Sequence, residues 1–246
     1  MTTEVTISNM ALSHIGDAAV VTSIDPPDNS TQAQRCAQFY PEARDALLEM
    51  HDWNFATKRT YPAMLSSPVD ATVVGGGGAV VTTTTFMPGT QVPTPWKYVY
   101  QAPTDMIRAR AILDPTITNE NSTQVPMAMN WPQSIGSMQG LYTPQEFEIE
   151  TDDEGRVLIL TNQQNAVLRY TALVTDPNKF SPLFTATLSY VLASYLAGAI
   201  IKGQEGIAVA QQMMATATGM LGEAESSDTN QRRLQVVQSV PWMVNR

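Results

Sequence analysis

The stretch Leu183-Phe184-Thr185-Ala186-Thr187-Leu188-Ser189-Tyr190-Val191-Leu192-Ala193-Ser194-Tyr195-Leu196-Ala197-Gly198-Ala199-Ile200-Ile201 runs nineteen residues without a charged side chain. That approaches the roughly 20 apolar residues a membrane span requires. Yet Thr185, Thr187, Ser189 and Ser194 dilute it, Tyr190 and Tyr195 add hydroxyls, and no basic cluster flanks it. A buried soluble helix is the better reading. Phe184, Leu188, Val191, Leu192, Tyr195, Leu196 and Ile200 recur at helical spacing, while Ala186, Ala193 and Ala197 lie opposite. Such a helix packs nearly all round, so other parts of the chain must surround it.

Lys202-Gly203 closes this helix, and Ile207, Ala210, Met213, Met214, Ala217, Met220 and Leu221 define a second, amphipathic one. Methionine tolerates irregular packing, which suits interfaces and imperfect cores. After Glu223 the pattern fades into a polar tail ending Pro241-Trp242-Met243-Val244-Asn245-Arg246.

The N-terminal part is helical too. Ile7, Ala11, Leu12 and Ile15 share a helical face, and Gly16 supplies a C-terminal stop. Beyond the loop Asp25-Pro26-Pro27-Asp28-Asn29, either Asn29 or Ser30 can cap a helix whose face carries Ala33, Cys36, Ala37, Tyr40, Leu47 and Leu48. Pro41 removes a donor and its ring clashes with the Ala37 carbonyl, which predicts a kink or a break. The segment ends in His51-Asp52-Trp53-Asn54-Phe55, whose aromatics would plug the base of a bundle.

From Thr57 to Asn178 the period changes. Trp96 to Tyr100, Phe147 to Glu150, Arg156 to Leu160 and Val167 to Tyr170 read as strands. Asp152-Asp153-Glu154-Gly155 reads as a hairpin turn, with glycine where φ must be positive. Ala71-Thr72-Val73-Val74, then Gly75, Gly76, Gly77 and Gly78, then Ala79-Val80-Val81 and four threonines form a near mirror image. This predicts a β-hairpin arm with a glycine tip. A lone two-stranded ribbon is marginal in water, so a neighbouring subunit is the natural candidate to hold it.

These readings predict an α+β fold: a helical bundle built from N- and C-terminal helices, with a central antiparallel β-rich domain. Its parts are residues 1–56 (helical), 57–178 (β-rich, with the arm near 71–86), 179–228 (helical) and 229–246 (tail). Met1-Thr2-Thr3-Glu4-Val5 has no basic region leading into an apolar one, so no signal peptide is expected. Cys36 is the single cysteine, which excludes an intrachain disulfide. A net charge of −9 argues against a sequence-reading nucleic-acid binder. Only 15% of residues are charged, against about 25% in an ordinary domain. Much of this surface is therefore expected to face protein.

No catalytic constellation stands out. Nucleophilic catalysis needs a base beside the nucleophile. His14 and His51, the only histidines, read as structural or interface residues. One cysteine and an adjacent His51-Asp52 pair do not make a metal site, and Gly75 to Gly78 lacks the Lys-Ser/Thr of a phosphate loop. No cofactor is expected. Glu148 and Glu150 would share one strand face about 6.7 Å apart, inside the roughly 5–9.5 Å range of glycosidase carboxyls. The same pattern marks any half-exposed strand, and that reading is preferred. Lys58-Arg59, Arg108 with Arg110, and Arg232-Arg233 are too sparse to line a phosphate groove and are expected to pair with carboxylates.

The order Asn9-Met10-Ala11-Leu12-Ser13-His14-Ile15-Gly16, Ala33 to Cys36, Tyr40, Arg44-Asp45 with Leu47-Leu48, and Trp53-Asn54-Phe55-Ala56 resembles the opening of the tail tubular protein A family. These are head-to-tail adaptors, or gatekeepers, of short-tailed bacteriophages. Trp96-Lys97-Tyr98-Val99-Tyr100-Gln101-Ala102-Pro103-Thr104-Asp105 is similar to the family's strand and Pro-x-Asp turn. Phe180-Ser181-Pro182-Leu183-Phe184, leading into Leu192 to Ala197, is similar to its third helix. The glycine arm and the stretch from Pro115 to Pro144 have no counterpart in the resemblance.

The resemblance implies a non-enzymatic structural virion protein of the tail or neck, assembled in the host cytoplasm. It implies a homo-oligomeric ring, usually of twelve copies, between the portal protein and the tail nozzle protein, with no membrane partner. Genomic DNA would pass through the channel without sequence recognition, and an acidic lumen would let its phosphates slide. Partner contacts are expected at Gly75, Gly76, Gly77 and Gly78 and, in the tail, at Arg232, Arg233, Trp242 and Arg246. Aromatic residues such as Trp242 are favoured at interface centres. The competing readings are a tail-associated peptidoglycan hydrolase using Glu148 and Glu150, and a general binding module or monomeric membrane protein.

Overall fold

The computed structural model describes residues 2–66, 69–74, 80–85, 96–113, 115 and 145–231. The fold is α+β, with helices from both ends of the chain and strands between them. Two compact units are present, Met1–Thr57 with Thr171–Arg233, and Lys58–Tyr170 with Leu234–Arg246.

The first unit holds α1 (Glu4–His14), α2 (Thr31–Met50), α3 (Pro182–Ile200) and α4 (Gly203–Asn230). Local chemistry sets the starts. Thr3, Ser30 and Ser181 each accept a hydrogen bond from a backbone N–H three residues on, and Pro182 takes the first helical position. Of the two candidate caps for α2, Ser30 takes the role, and Asn29 turns the chain with φ of 53°. Asp28 fastens this corner: hydrogen bonds from Ser30 and from the Thr22 backbone and hydroxyl hold its carboxyl well below the usual range.

α3 is the hub, packing against α1, α2 and α4, whereas α1 and α2 meet each other only marginally. By length and composition α3 could cross a membrane, yet 61% of its apolar window is buried within the protein. α2 runs unbroken through Pro41. The expected break is absent because Cys36 and Tyr40 before it and Ala43, Leu47 and Leu48 after it are all buried. Leu47 and Leu48 together contribute about 3–6 kcal/mol, which offsets the cost of about 3 kcal/mol for an interior proline. At the base, fully buried Trp53 donates Nε1–H to the Leu47 carbonyl at 2.8 Å and meets Phe184 edge-on, ring centroids 5.0 Å apart. Phe55 and Phe180 complete the cluster around Phe184.

α4 departs from expectation. Its buried residues are Gly206, Ala217, Ala224 and Asp228, while Ile207 and Met214, expected on the packed face, are 54% and 39% exposed. Close approach is the reason: a Cβ on Gly206 would lie 3.1 Å from the Ala197 carbonyl oxygen and 3.6 Å from Gly198 Cα. α3 and α4 therefore cross through their small residues, which swings the large ones off the contact.

In the second unit β2 (Ala63–Ser66), β5 (Tyr98–Gln101), β8 (Val157–Thr161) and β7 (Phe147–Thr151) form one sheet in that order, each neighbouring pair antiparallel. Val99, Leu158 and Leu160 are its buried core, with Leu65 and Trp96 packed against it. The β7–β8 turn is built as read: Gly155 has φ of 77°, and the Asp152 carboxylate accepts from the Glu154 and Arg156 backbone and from Arg156 Nε at 2.7 Å. A further sheet orders β1 (Thr57–Thr60), β9 (Val167–Ala172) and β6 (Met106–Leu113), with β9 in the middle. In the arm, β3 (Val69–Val74) pairs antiparallel with β4 (Val80–Thr85), in register from Val69↔Thr85 to Val74↔Val80.

Candidate functional site

Two histidines and a pair of glutamates carry the only candidate chemistry read from the sequence, and the geometry gives His14, His51 and Glu148 each a structural partner. His14 Nε2 lies 3.1 Å from Ser189 Oγ, a nucleophile-and-base pairing by residue type. The Ser189 hydroxyl, however, donates to the Ala186 carbonyl at 2.7 Å, so its oxygen accepts from His14. A serine that has spent its proton on the helix, at full burial in mid-α3, has nothing to give a base. His14 also stacks flat on Tyr190, centroids 4.0 Å apart, and burial lowers its pKa below 6.5.

His51 sits where α2 ends, with Nε2 3.4 Å from Asp228 Oδ2 at the far end of α4. Asp228 is 5% exposed, and both its carboxylate oxygens accept from the Asn54 backbone N–H, at 3.2 and 3.0 Å. Asn54 Nδ2 in turn donates to the Asp228 carbonyl at 2.6 Å. This latch ties the end of the N-terminal helical segment to the last turn of α4. It explains why α4 continues to Asn230 although its apolar pattern fades after Glu223.

Glu148 and Glu150 do lie on one face of β7, opposite Leu160 and Leu158 in the register of β8. Glu148 Oε2 accepts from Trp96 Nε1 at 2.9 Å, so this carboxylate anchors the indole that covers the sheet core. Among the described residues no group of His, Cys, Asp and Glu could hold a metal ion.

The basic pairs behave differently from one another. Lys58 bonds Asp105 at 2.6 Å, and Asp105 also accepts from the Tyr170 hydroxyl at 2.9 Å. Burial, then the adjoining Asp105, pushes the Tyr170 phenol up to about 12. Arg108 and Arg110 lie two apart on one strand and so share a face. Gly75, Gly76, Gly77, Gly78, Arg232, Arg233, Trp242 and Arg246, where partner contacts were expected, lie outside the described residues.

The feature with the properties of a site is the outer side of α4. Glu205 and Glu223 bracket seventeen residues without a charge. Ile207, Met214 and Leu221 recur every seven residues along it, beside Ala210, Ala217 and Ala224. α3 covers the alanine side, leaving Ile207 and Met214 exposed and Leu221 half-buried. The hydroxyls on this stretch are already spent: Thr216 donates to the Gln212 carbonyl at 3.0 Å and Thr218 to that of Met214 at 2.9 Å. Covering such a face with protein forfeits few hydrogen bonds to water, which is what makes polar burial costly elsewhere. The seven-residue recurrence is visible in the sequence. Which half of the stripe α3 would take is not, because that depends on Gly206 and Gly198.

Compared with protein-family models and with curated proteins, the chain matches none.

Proposed function

We propose that this protein is one wedge of a head-to-tail adaptor ring in the neck of a short-tailed bacteriophage, seated between portal and tail nozzle. The observation that carries the reading is the outer side of α4, a charge-free helical surface that exposes Ile207 and Met214 in one line along the helix. The scarcity of charge over the whole chain, 15% of residues, supports it. So does the ordered resemblance to the tail tubular protein A family. A subunit in such a ring buries two different flanks, because the contacts are heterologous and close on themselves.

Genomic DNA is the passing cargo in this reading. With nine net negative charges per copy, the ring would repel phosphates rather than hold them. Portal and nozzle are the axial partners, and assembly takes place in the host cytoplasm before the neck is completed. The hydrolase alternative is not adopted, since Glu148 is engaged by Trp96.

The test is the mass and image of the purified full-length chain, alone and mixed with portal protein. A closed ring of about twelve copies, by family resemblance, that binds the portal vertex is the expected result. A single-copy chain without affinity for portal refutes the proposal.

A further inference from the structure

The α4 seam needs a receiving surface, and a ring needs that surface to be a different one. The first unit carries one candidate. Thr6, Asn9, Met10, Ser13, His14 and Ala19 line a groove of about 380 Å³ along α1. None of these residues is formally charged at neutral pH, and their polar groups are already used within the fold. The Asn9 amide exchanges two hydrogen bonds with the Val21 backbone, at 2.9 and 3.1 Å. Ser13 donates to the Asn9 carbonyl at 2.8 Å, Thr6 Oγ1 pairs with Thr3 Oγ1 at 2.9 Å, and His14 is held by Ser189. The groove therefore presents a wall with few unmet polar demands, as the α4 stripe does.

We infer that the α4 seam of one copy, through Ile207, Met214 and Leu221, docks into the α1 groove of the next copy of this chain. This rests on the ring reading and specifies its lateral contact. Three observations single out a second copy as occupant. Both surfaces are charge-free, and the groove's polar groups and the α4 hydroxyls already have partners within the fold, so each is suited to the other and neither attracts a charged partner. Both lie on one compact unit, which fixes the turn from copy to copy. The area is the third: a helix of 28 residues is about 42 Å long and 10–12 Å across, so one side offers roughly 450 Å², below the roughly 800 Å² per partner of a standard stable pair and suited to a contact repeated around a circle rather than to a dimer. An isolated pair should be weak, and closure of the circle should supply the rest.

The experiment uses the full-length chain, with and without portal protein. Met10→Cys and Met214→Cys are made separately and mixed under mild oxidation, Cys36 being buried. The mixture is expected to give a disulfide-linked pair that neither variant forms alone, and the double variant a ladder of multimers. In parallel, Met214→Glu should raise the concentration needed for assembly roughly ten-fold or more. Gln34→Glu, exposed on α2 and outside both surfaces, should leave it unchanged, and both should keep the wild-type circular dichroism. Cross-linking of Met214→Cys to itself overturns the groove as receiver. A wild-type chain that forms a ring, while the cysteine variants do not cross-link and Met214→Glu leaves assembly unchanged, overturns the inference while the ring stands. A wild-type chain that stays single in every condition overturns both.

Discussion

Replacing Asp228 by alanine tests the latch between the two ends of the bundle. Two opposing effects are in play. The carboxylate accepts the Asn54 backbone N–H at 3.0 and 3.2 Å in a site only 5% exposed. A hydrogen bond to an ionised partner contributes about 1.5–3 kcal/mol. Against this, an acid in the last turn of a helix faces the negative end of the dipole, which costs about 0.3–1 kcal/mol. The hydrogen bond wins, and Asp228→Ala should destabilise the first unit by about 1–2.5 kcal/mol. For a chain of this size that is a fall in Tm of about 2–10 °C. Asp228→Asn keeps an acceptor and relieves the dipole, so it should lose less. Thermal melting followed by circular dichroism reads both, and amide exchange in the last turns of α4 reports where the loss falls. A rise in Tm for Asp228→Ala would mean that the dipole dominates and the latch argument is wrong.

Burial lowers the His14 imidazole below 6.5, so the unfolded chain takes up a proton that the folded one resists. Its contribution to stability is complete above about pH 6.5 and declines as acid carries the pH through the window below, and His14→Gln should reduce the difference between urea midpoints at about pH 5.5 and 7.5. Gly155→Ala meets no steric neighbour within 4 Å but must adopt φ of 77°. It should destabilise the second unit by about 1–2 kcal/mol, with Asn recovering part of that, and an unchanged urea midpoint would show that the turn tolerates a side chain without strain. Burial pushes the Cys36 thiol up to about 11, so a thiol reagent should label it only through opening of α1 and α2, at a rate that climbs with denaturant. Immediate labelling of the native chain would contradict its burial.

The parts of the fold legible from sequence are those where local pattern and tertiary packing agree. α1, α2 and α3 follow their apolar spacing, and the turn at Asp152 to Gly155 declares itself through a side chain that bonds its own backbone. At Pro41 the local penalty points to a kink or a break, and the helix is unbroken because residues buried on either side of it hold it together. Thr57–Thr60 carries no alternation to read, because its two middle residues, Lys58 and Arg59, are both exposed. Met106–Leu113 carries an alternation, Ile107, Ala109 and Ala111 against Arg108 and Arg110, which the two arginines mask by resembling a short basic cluster. The α4 seam was half legible: its residues were named, but their outward turn follows from a glycine contact between two helices. The Asp228 latch joins residues 174 positions apart, and no local window reports it.

Because α3 is the hub, the order of synthesis matters. α1 and α2 leave the ribosome first, yet they scarcely touch each other and share their main neighbour in a helix that begins 132 residues after Met50. At translation rates of about 5–20 residues per second, that delay is roughly 7–26 s. For that interval Leu12, Tyr40, Leu47 and Trp53 are nascent, sticky and without their permanent cover. The gene's layout thus makes this polypeptide a natural client for holding chaperones, and a truncated message ending before Pro182 should yield aggregate rather than a smaller domain.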